Sequence, residues 1–325
     1  MRPMRICILG GTGFVGRHLI PRLLRGRHRL VVPTRHPHRH RDLLPQPAGN
    51  GNYTEPVLEL VEADVHDEAT LTRLLAGCDA AVNLVGILND PARDGAGFRR
   101  VHVELPRKLV AACRAAQVPR LLHMSALNAG RGESRYLRTK GEGERVVREA
   151  EGLAVTVFRP SVIFGPDDRF FNRFATLLRL SPGVFPLACP EARLAPVYVG
   201  DVAQAFVTAL AEAETAGAAY DLCGPRTYTL RELVRFTART LGVRRLILGL
   251  PDALSRLQAR ILERLPGQPF TYDNYLSLQV ASTCEGPWPA ILGGPPASVE
   301  AVVPAYLARR TWRGRLSDFR RLARR

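Results

Sequence analysis

MRICILGGTGFVGRHLIPRLLRG, residues 4–26, decides the fold of this 325-residue chain. Residues 4–9 form a short apolar run that is typical of a buried parallel strand. The run enters a turn with four glycines: Gly10, Gly11, Gly13 and Gly16. The apolar stretch after the turn predicts a helix that ends at Gly26. Glycines in this context allow the backbone to approach a pyrophosphate at the positive end of the helix. The stretch therefore predicts a dinucleotide-binding turn, with an ordinary strand-to-helix turn as the alternative.

Strands and helices alternate through the first half of the chain. Strands are predicted at 30–34, 57–64, 79–86, 120–126 and 153–160, and helices at 67–77, 98–117 and 134–152. This order predicts an α/β fold with a doubly wound parallel sheet of the Rossmann type. Ligands bind such sheets beyond the carboxyl ends of the strands.

The alternation loosens after Pro160, which indicates a second unit. We predict a nucleotide-binding domain at 1–165, completed by 196–213. We also predict a smaller mixed C-terminal lobe, at 166–195 and 214–298, that forms the substrate wall. The last predicted unit is a basic tail at 299–325. The apolar content of the lobe favours a lipidic or ring-shaped substrate, although most of these residues would equally serve as core.

The predicted cofactor-binding residues lie in the glycine turn and at strand ends. Thr34 and Arg35 stand where an NAD-preferring fold places an acidic residue for the ribose 2′-hydroxyl. Hydroxyl and guanidinium groups would bind a 2′-phosphate, so the sequence favours NADP(H) over NAD(H), with a solvated basic loop as the alternative. The full predicted set is Gly10, Gly11, Thr12, Gly13, Phe14, Val15, Gly16, Thr34, Arg35, Asp64, Val65, Asn83, Leu84, Val85, Gly86, Tyr136, Lys140, Pro160, Ser161 and Val162.

Only two of the 46 Lys+Arg residues are lysines, and one of them, Lys140, follows Tyr136 by four positions. Residues four apart share a helix face, so the ammonium is expected to lower the pKa of the phenol. Ser125, at a strand end, is expected to donate a hydrogen bond to a substrate carbonyl. Together the three residues predict a hydride-transfer site in which Tyr136 moves the proton, with a coincidental spacing as the alternative. Weaker candidates for contacts with the substrate are Leu127, Asn128, Arg169 and Arg173.

The sequence does not predict a metal site. His36, His38 and His40 alternate in a loop that is broken by proline and lacks cysteine or carboxylate partners. The six cysteines contain no Cys-x-x-Cys pair, which argues against both a zinc site and a disulfide framework. A reducing cytoplasm fits this usage best.

The formal net charge of +16 predicts attraction to anionic surfaces. Residues 309–325 carry eight arginines and one aspartate, and their four large apolar residues share one helical face. This pattern suits an anionic membrane surface or a membrane complex, and it suits a solvated, disordered tail equally well. No motif points to specific nucleic-acid binding. No apolar run is long enough to span a bilayer, and the basic start runs into glycines rather than a signal peptide. We therefore expect a cytoplasmic protein and leave open a peripheral position on the inner face of the membrane.

The glycine turn, the Ser125…Tyr136-x-x-x-Lys140 set and the strand order resemble the short-chain dehydrogenase/reductase superfamily, in its extended or atypical branch. The stretches VHVELP, HMSALNA, SRYLRTKGEGE, RPSVIFGPDDRFFNRFA, PVYVGDVA and PFTYDNYLSL are similar to bacterial relatives of the NADPH-binding accessory subunit (39-kDa type) of respiratory complex I. This resemblance implies a tightly held NADP(H) and, for the mitochondrial member, a structural role at the membrane arm. His102 stands where many extended reductases carry an asparagine, so a proton-relay water would be held differently or not at all.

Three functions stay open at this point. The first, which we favour, is an NADP(H)-dependent oxidoreductase for a carbonyl or alcohol, with a lipidic or quinone-related substrate. The second is a non-catalytic assembly protein that holds NADP(H) beside a membrane complex. The third is a nucleotide-sugar epimerase or dehydratase, which would need tightly held NAD and is disfavoured by Arg35.

Overall fold

The computed structural model describes residues 2–44, 58–90 and 92–307. Within these residues the chain forms thirteen strands and eleven α-helices. The strands are β1 (Arg5–Leu9), β2 (Arg29–Thr34), β3 (Leu58–Glu62), β4 (Ala80–Asn83), β5 (Arg120–Met124), β6 (Ala154–Pro160), β7 (Ile163–Phe164), β8 (Val184–Leu187), β9 (Arg193–Leu194), β10 (Val197–Tyr198), β11 (Ala219–Leu222), β12 (Tyr228–Thr229) and β13 (Leu246–Gly249). The helices are α1 (Phe14–Arg25), α2 (Glu68–Leu75), α3 (Ala96–Arg99), α4 (Leu105–Ala115), α5 (Arg135–Arg148), α6 (Phe171–Leu180), α7 (Val199–Ala211), α8 (Leu230–Leu241), α9 (Asp252–Leu262), α10 (Tyr272–Leu278) and α11 (Val299–Leu307).

Seven strands form one parallel sheet in the order β11-β6-β5-β4-β1-β2-β3. The predicted doubly wound α/β fold is confirmed. The chain runs outward from β1 through β2 to β3, and then returns to place β4 on the other side of β1. Because the strand order reverses between β1 and β4, the carboxyl ends of these strands border the crevice in which such folds bind ligands.

Side chains of β1 alternate between the two faces of the sheet, as the period of a strand requires. Ile6 and Ile8 enter a core with α1 and α7, while Cys7 and Leu9 enter a core with α2 and α4. Both faces are therefore covered by helices, which explains why the central strand is a continuous apolar run. None of the helices within the described residues is both long and apolar enough to cross a membrane.

The small lobe has a core of its own, built mainly from α6, α8 and α11. Its limits differ from the predicted ones. β11, which we assigned to the lobe, pairs with β6 as the edge strand of the main sheet. Residues 299–307, assigned to the tail, form α11, whose Val303 is fully buried in the lobe. The predicted apolar face within 309–325 lies outside the described residues.

Residues 281–284, which we call the strap, tie this part of the chain to the main sheet. The Asn128 amide donates to the carbonyl oxygen of Ala281 at 2.8 Å, and Ser161 Oγ donates to that of Ser282 at 2.9 Å. Cys284 forms a disulfide with Cys223, with a Cα–Cα distance of 5.9 Å. The spacing of the cysteines argues against a disulfide framework, yet one disulfide forms. The partners are 61 positions apart, so the folded chain and not a local spacing brings them together.

Candidate functional site

The glycine turn after β1 packs directly against the end of β4. Gly10 has a φ of +77°, and a Cβ there would lie 3.1 Å from the backbone of Leu84 and Val85. A Cβ at Gly16 would lie 2.2 Å from the carbonyl oxygen of Gly11. Side chains larger than hydrogen are therefore excluded at the points where the turn closes. The turn places its backbone at the switch point of the sheet, as the sequence predicts for a dinucleotide site.

The N-terminus of α1 has neither a side-chain cap nor an acidic residue in its first turn. The N-terminus of α5 is different, because Ser134 accepts the N–H of Leu137 at 3.0 Å and Asp273 accepts those of Arg135 and Tyr136. Of these two helices, only α1 leaves its N–H groups available to an anion. An uncapped helix start behind a glycine turn fits the pyrophosphate of a dinucleotide.

The end of β2 presents one buried hydroxyl and one exposed guanidinium, from Thr34 and Arg35. Arg35 makes no hydrogen bond or ion pair with the other described residues. Arg17, on α1, is bound instead to Asp42 and lies 3.1 Å from Nδ1 of His40. Arg35, directly at the strand end, therefore remains available to a 2′-phosphate. Just after β3, Asp64 is exposed, and its carboxylate accepts the backbone N–H of His66 at 3.0 Å.

The ammonium of Lys140 lies between the end of β5 and the segment that follows β4. Its ammonium donates to the carbonyl oxygen of Met124 at 2.9 Å, and a Cβ placed on Gly86 would lie 3.5 Å from the ammonium nitrogen. The structure therefore brings the predicted catalytic lysine next to a predicted cofactor-binding residue. The close approach of α5 depends on Gly143, where a Cβ would lie 1.7 Å from the carbonyl oxygen of His102.

Burial sets the protonation of the Tyr136–Lys140 pair. Burial, assisted by the charge of Asp273, raises the pKa of Tyr136 to about 12. Burial also lowers the pKa of Lys140 to about 8, against the opposing effect of Glu144. The sequence predicts a lowered pKa for this phenol, and the direction of that net shift is wrong because the loss of solvation dominates. The phenol keeps its proton at neutral pH.

Ser125 is buried at the end of β5, but its hydroxyl donates to Glu144 at 2.7 Å. The same carboxylate accepts a bifurcated hydrogen bond from the Nε–H of Arg159, at 2.9 and 3.0 Å, and another from Nη2 of that residue. The hydroxyl proton of Ser125 is thus committed to a buried ion pair. A role in polarising a substrate carbonyl stays a prediction.

His102 lies in one turn of π-helix, Arg100–Glu104, between α3 and α4. Its Nε2 accepts the N–H of Ile87 at 3.2 Å, so Nδ1 carries the proton and faces Oγ1 of Thr139 at 3.0 Å. Burial and the nearby Lys140 lower the pKa of His102 to about 2. The ring is 5.5 Å from that of Tyr136 and nearly perpendicular to it. The residue that replaces the usual asparagine is therefore a neutral imidazole with a fixed tautomer.

Several predicted residues order the walls of the site through their own hydrogen bonds. Asn83 is buried, and its Oδ1 accepts the N–H of Val85 at 3.1 Å. Ser161 contacts the strap, as does Asn128. Leu127 is buried and donates its N–H to the carbonyl oxygen of Pro160 at 3.0 Å. These contacts fix the strand ends, and the predicted ligand contacts of these residues stay untested.

The two arginines proposed for the substrate differ in their surroundings. Arg173 donates to the carbonyl oxygen of Pro269 at 2.9 Å, and burial lowers its pKa. Arg169 is exposed. Arg173 is therefore held by a contact within the lobe, between α6 and the segment before α10.

Sequence reasoning missed the residues of the lobe that close the cleft over Tyr136. Asp273, on α10, binds the first turn of α5. Asn89, after β4, donates to the carbonyl oxygen of Gln268 at 2.9 Å. Each contact joins segments that are far apart in the chain, so hydrophobic periodicity gives no signal for them. The one local signal is the capping box at Thr271 and Asn274, which predicts a helix start but not its partner.

Comparison with known proteins agrees with this geometry. Residues 6–223 match the model of the NAD dependent epimerase/dehydratase family. The chain is 31% identical over 239 residues to the mitochondrial NADH dehydrogenase [ubiquinone] 1 alpha subcomplex subunit 9 of Mus musculus, which covers 70% of this chain and 59% of that protein. It is also 31% identical over 252 residues to the ceramide reductase of Caulobacter vibrioides, with coverages of 76% and 74%.

Among solved structures, DesIV of Streptomyces venezuelae, a dTDP-glucose 4,6-dehydratase with NAD bound, superimposes with a TM-score of 0.65. It is 22% identical, with coverages of 96% of this chain and 98% of that one, and at this identity the likeness shows the fold alone. The chain spans about three fifths of the length of the mitochondrial relatives that it matches, the mouse subunit among them.

Proposed function

Since the chain belongs to the NAD dependent epimerase/dehydratase family, we propose that it is an NADP(H)-dependent oxidoreductase that reduces a carbonyl group of a lipidic or quinone-related substrate. One observation carries this proposal. The glycine turn and Lys140 both meet the segment that follows β4, at Leu84–Val85 and at Gly86 respectively. The dinucleotide loop and the Tyr136–Lys140 helix therefore share one crevice.

The residues at the crevice fit a nicotinamide dinucleotide. The uncapped start of α1 suits the pyrophosphate, and the exposed Arg35 suits a 2′-phosphate, which favours NADP(H). Bound there, the cofactor supplies the hydride. The third function considered from the sequence, a nucleotide-sugar epimerase or dehydratase, would need NAD, and Arg35 still speaks against it.

The protonation of the site favours reduction over oxidation. With a pKa of about 12, Tyr136 carries a proton that it can give to the oxygen of the carbonyl as the alcohol forms. Lys140, with a pKa of about 8, is mainly charged below that pH and stabilises the phenolate that remains. The overall change is carbonyl plus NADPH plus one proton to alcohol plus NADP⁺. We expect the rate to fall as pH rises through about 8, when the ammonium loses its charge.

The substrate class rests on one relative and on the lobe. The ceramide reductase of Caulobacter vibrioides, by its name, acts on a lipid. The lobe exposes many apolar side chains, among them Leu254, Leu257 and Ile261, on a helix that α10 separates from Tyr136. A substrate with a long apolar chain would match that lobe.

The test is oxidation of NADPH by the purified protein with long-chain ketones, ketosphingolipids and quinones. Tyr136→Phe should reduce kcat by about 10²-fold or more, because it removes the proton donor. Tyr220→Phe is a matched control on the edge strand β11 and should leave kcat unchanged. If neither NADPH nor NADH is consumed with any of these compounds, or if Tyr136→Phe keeps full activity, the proposed reaction is wrong.

A second candidate is a protein that holds NADP(H) without turnover beside a membrane complex. Its support is the 31% identity to a subunit of mitochondrial NADH dehydrogenase and the commitment of Ser125 to Glu144. In that case mass spectrometry of gently purified protein should find bound nucleotide, and Tyr136→Phe should alter neither its amount nor the thermal stability. A protein that exchanges nucleotide freely and turns over would count against this candidate.

A further inference from the structure

The large apolar side chains that the described residues expose are concentrated in one part of the small lobe. Eight of the ten lie between residues 180 and 265, with exposed fractions between 45% and 75%. We call them the apolar face: Leu180, Val184, Leu246, Leu248, Leu254, Leu257, Ile261 and Leu265. Scattered exposed leucines are normal on soluble proteins, whereas a concentration of them marks an interaction site.

Half of the apolar face comes from β8, β13 and the end of α6. The two strands pair in parallel, and their register places Leu246 beside Val184 and Leu248 beside Pro186. The alternate residues, Phe185 and Ile247 among them, are buried in the core of the lobe. The outer side of this small sheet is therefore apolar where a solvated sheet would carry polar residues.

The other half comes from α9 and the residues just after it. Leu254, Leu257 and Ile261 are spaced by three and four positions and so share one side of the helix. The amide of Gln258 donates to the carbonyl oxygen of Pro186 at 3.2 Å, which holds α9 against β8. The helix and the small sheet thus present their exposed apolar side chains on adjoining elements.

Arginines border the apolar face. Residues 244–265 contain five arginines and two carboxylates. A cavity of about 740 Å³ opens beside Leu246, and its charged lining residues are Arg226, Arg235, Arg239, Arg244, Arg245, Glu232 and Glu300. The side chains of Arg235 and Arg239 form no hydrogen bond or ion pair with the other described residues. This combination of exposed apolar side chains and available cations complements an anionic amphiphile.

We propose that the apolar face docks on a bilayer that contains anionic phospholipids, with the arginine-lined cavity receiving a headgroup. A second copy of the chain fits this surface less well, because a symmetric contact would bring the arginines of both copies together. The formal net charge of +16 strengthens the attraction to an anionic surface. The proposal does not require catalysis, since it rests only on the exposed side chains and their charges.

Docking here would also bring the membrane close to the candidate active site. The hydroxyl of Tyr275, on α10, donates to Asp252 at the start of α9, and Asp273 on the same helix binds the backbone of Tyr136. The apolar face is therefore separated from the site by one helix.

Cosedimentation of the full chain with vesicles tests the proposal. Binding is measured to phosphatidylcholine alone and to phosphatidylcholine mixed with phosphatidylglycerol. We expect binding to the mixed vesicles only, and a loss of about tenfold or more in the triple variant Leu254→Ser, Leu257→Ser, Ile261→Ser. Arg235→Ala with Arg239→Ala should weaken binding to the mixed vesicles. The double variant Leu44→Ser, Leu88→Ser removes two exposed leucines elsewhere and should bind as the parent does.

Three outcomes would overturn the proposal. The triple variant could bind as tightly as the parent while removal of residues 309–325 abolishes binding, which would assign the membrane contact to that segment. The parent could ignore both kinds of vesicle and be a dimer that the triple variant converts to a monomer, which would make the face a contact between copies. Equal binding to both kinds of vesicle would refute the role of the arginines. Circular dichroism of each variant confirms that the replaced residues, all exposed, leave the fold intact.

Discussion

The carboxylate of Asp273 accepts the backbone N–H of Tyr136 at 3.1 Å, so a residue of the small lobe fixes the first turn of the helix that carries the candidate active site. The same carboxylate accepts the N–H of Arg135 at 2.6 Å. The lobe therefore acts on the site through its electrostatics as well as by covering it, because the charge of Asp273 helps to keep Tyr136 protonated.

Asp273→Ala should lower the free energy of unfolding by about 1–3 kcal/mol, since two N–H groups at the start of α5 lose a partly buried acceptor. Hydrogen exchange of the amides at 135 and 136 should accelerate, while exchange in α8 stays as it was. Asp273→Asn keeps an acceptor oxygen, so its free energy of unfolding should fall by less than that of Asp273→Ala. Asp94→Ala, which removes an exposed acceptor of the N–H of Ala96, is the control, and an equal loss in that variant would contradict the assignment.

Arg35→Ser should weaken the binding of NADPH by about tenfold or more and leave the binding of NADH unchanged, because a charge-assisted hydrogen bond to the 2′-phosphate is lost. Arg25→Ser also removes one positive charge, at the C-terminal end of α1 and thus away from the glycine turn. This variant should change the affinity for neither nucleotide. Titration of each nucleotide by its fluorescence measures the effect. An equal loss for both nucleotides would show that Arg35 does not discriminate between them.

Two buried histidines should make the fold sensitive to acid. Burial is the main cause that lowers the pKa of His102 to about 2 and that of His123 to about 3, from an ordinary value of 6.5. Both stay neutral in the folded chain and gain a proton on unfolding, so their contribution to stability is complete above about pH 6.5 and is lost as pH falls. Each should contribute a slope of roughly 1.4 kcal/mol per pH unit below that value.

Denaturant unfolding between pH 7 and pH 5 measures this slope. In His123→Gln the slope of the free energy of unfolding against pH should be smaller by the contribution of one histidine. This holds for any stability that the variant has at pH 7. His38→Gln, at an exposed position, should leave the slope as in the parent. The attribution to burial fails if the two variants show the same pH dependence.

Gly143→Ala should be among the most destabilising single substitutions of α5. A Cβ at this position would lie 1.7 Å from the carbonyl oxygen of His102, so α5 must move away from the π-helical turn. We expect a loss of about 1–3 kcal/mol, together with weaker nucleotide binding because Lys140 moves with the helix. Gly286→Ala is the matched control, since nothing lies within 4 Å of its Cβ. Thermal unfolding and nucleotide titration check both variants.

Loss of the disulfide between Cys223 and Cys284 should destabilise the chain. The bond closes a loop with a sequence separation of 61, for which loop entropy corresponds to about 4 kcal/mol. Cys284→Ser should lower Tm, and a reductant should lower the Tm of the parent but not of the variant. Thiol titration of the unreduced, unfolded parent should find four reactive cysteines, namely Cys7, Cys78, Cys113 and Cys189. Six reactive thiols would show that the bond does not form.

The elements whose signals are local could be predicted from the sequence. The glycine turn, the order of strands and the spacing of Tyr136 and Lys140 each depend on residues within one turn or one helix, so the doubly wound sheet and the position of the site follow from them. The predicted ends of β1, β2 and β6 are confirmed, whereas β3, β4 and β5 end two or three residues earlier than predicted.

Directions of side chains could not be predicted, because partners distant in the chain decide them. Ser125 lies at the predicted strand end, yet its hydroxyl turns to Glu144, 19 positions later. Tyr136 is held by Asp273, 137 positions later. The sign of the pKa shift of Tyr136 was wrong for the same reason, since the spacing of two residues does not show how completely the lobe removes water from them.

The strap has a consequence for how ligands reach the crevice. It joins the neighbourhoods of β5, β6 and β11 at once, through Asn128, Ser161 and the disulfide of Cys223. Because the lobe is held to the sheet at these three points, a rigid-body rotation of the lobe away from the sheet is opposed. The aperture must instead widen where the closure consists of single hydrogen bonds, such as that of Asn89 with Gln268. An engineered crosslink between positions 89 and 268 should therefore prevent ligands from entering the crevice and leave the remaining structure unchanged.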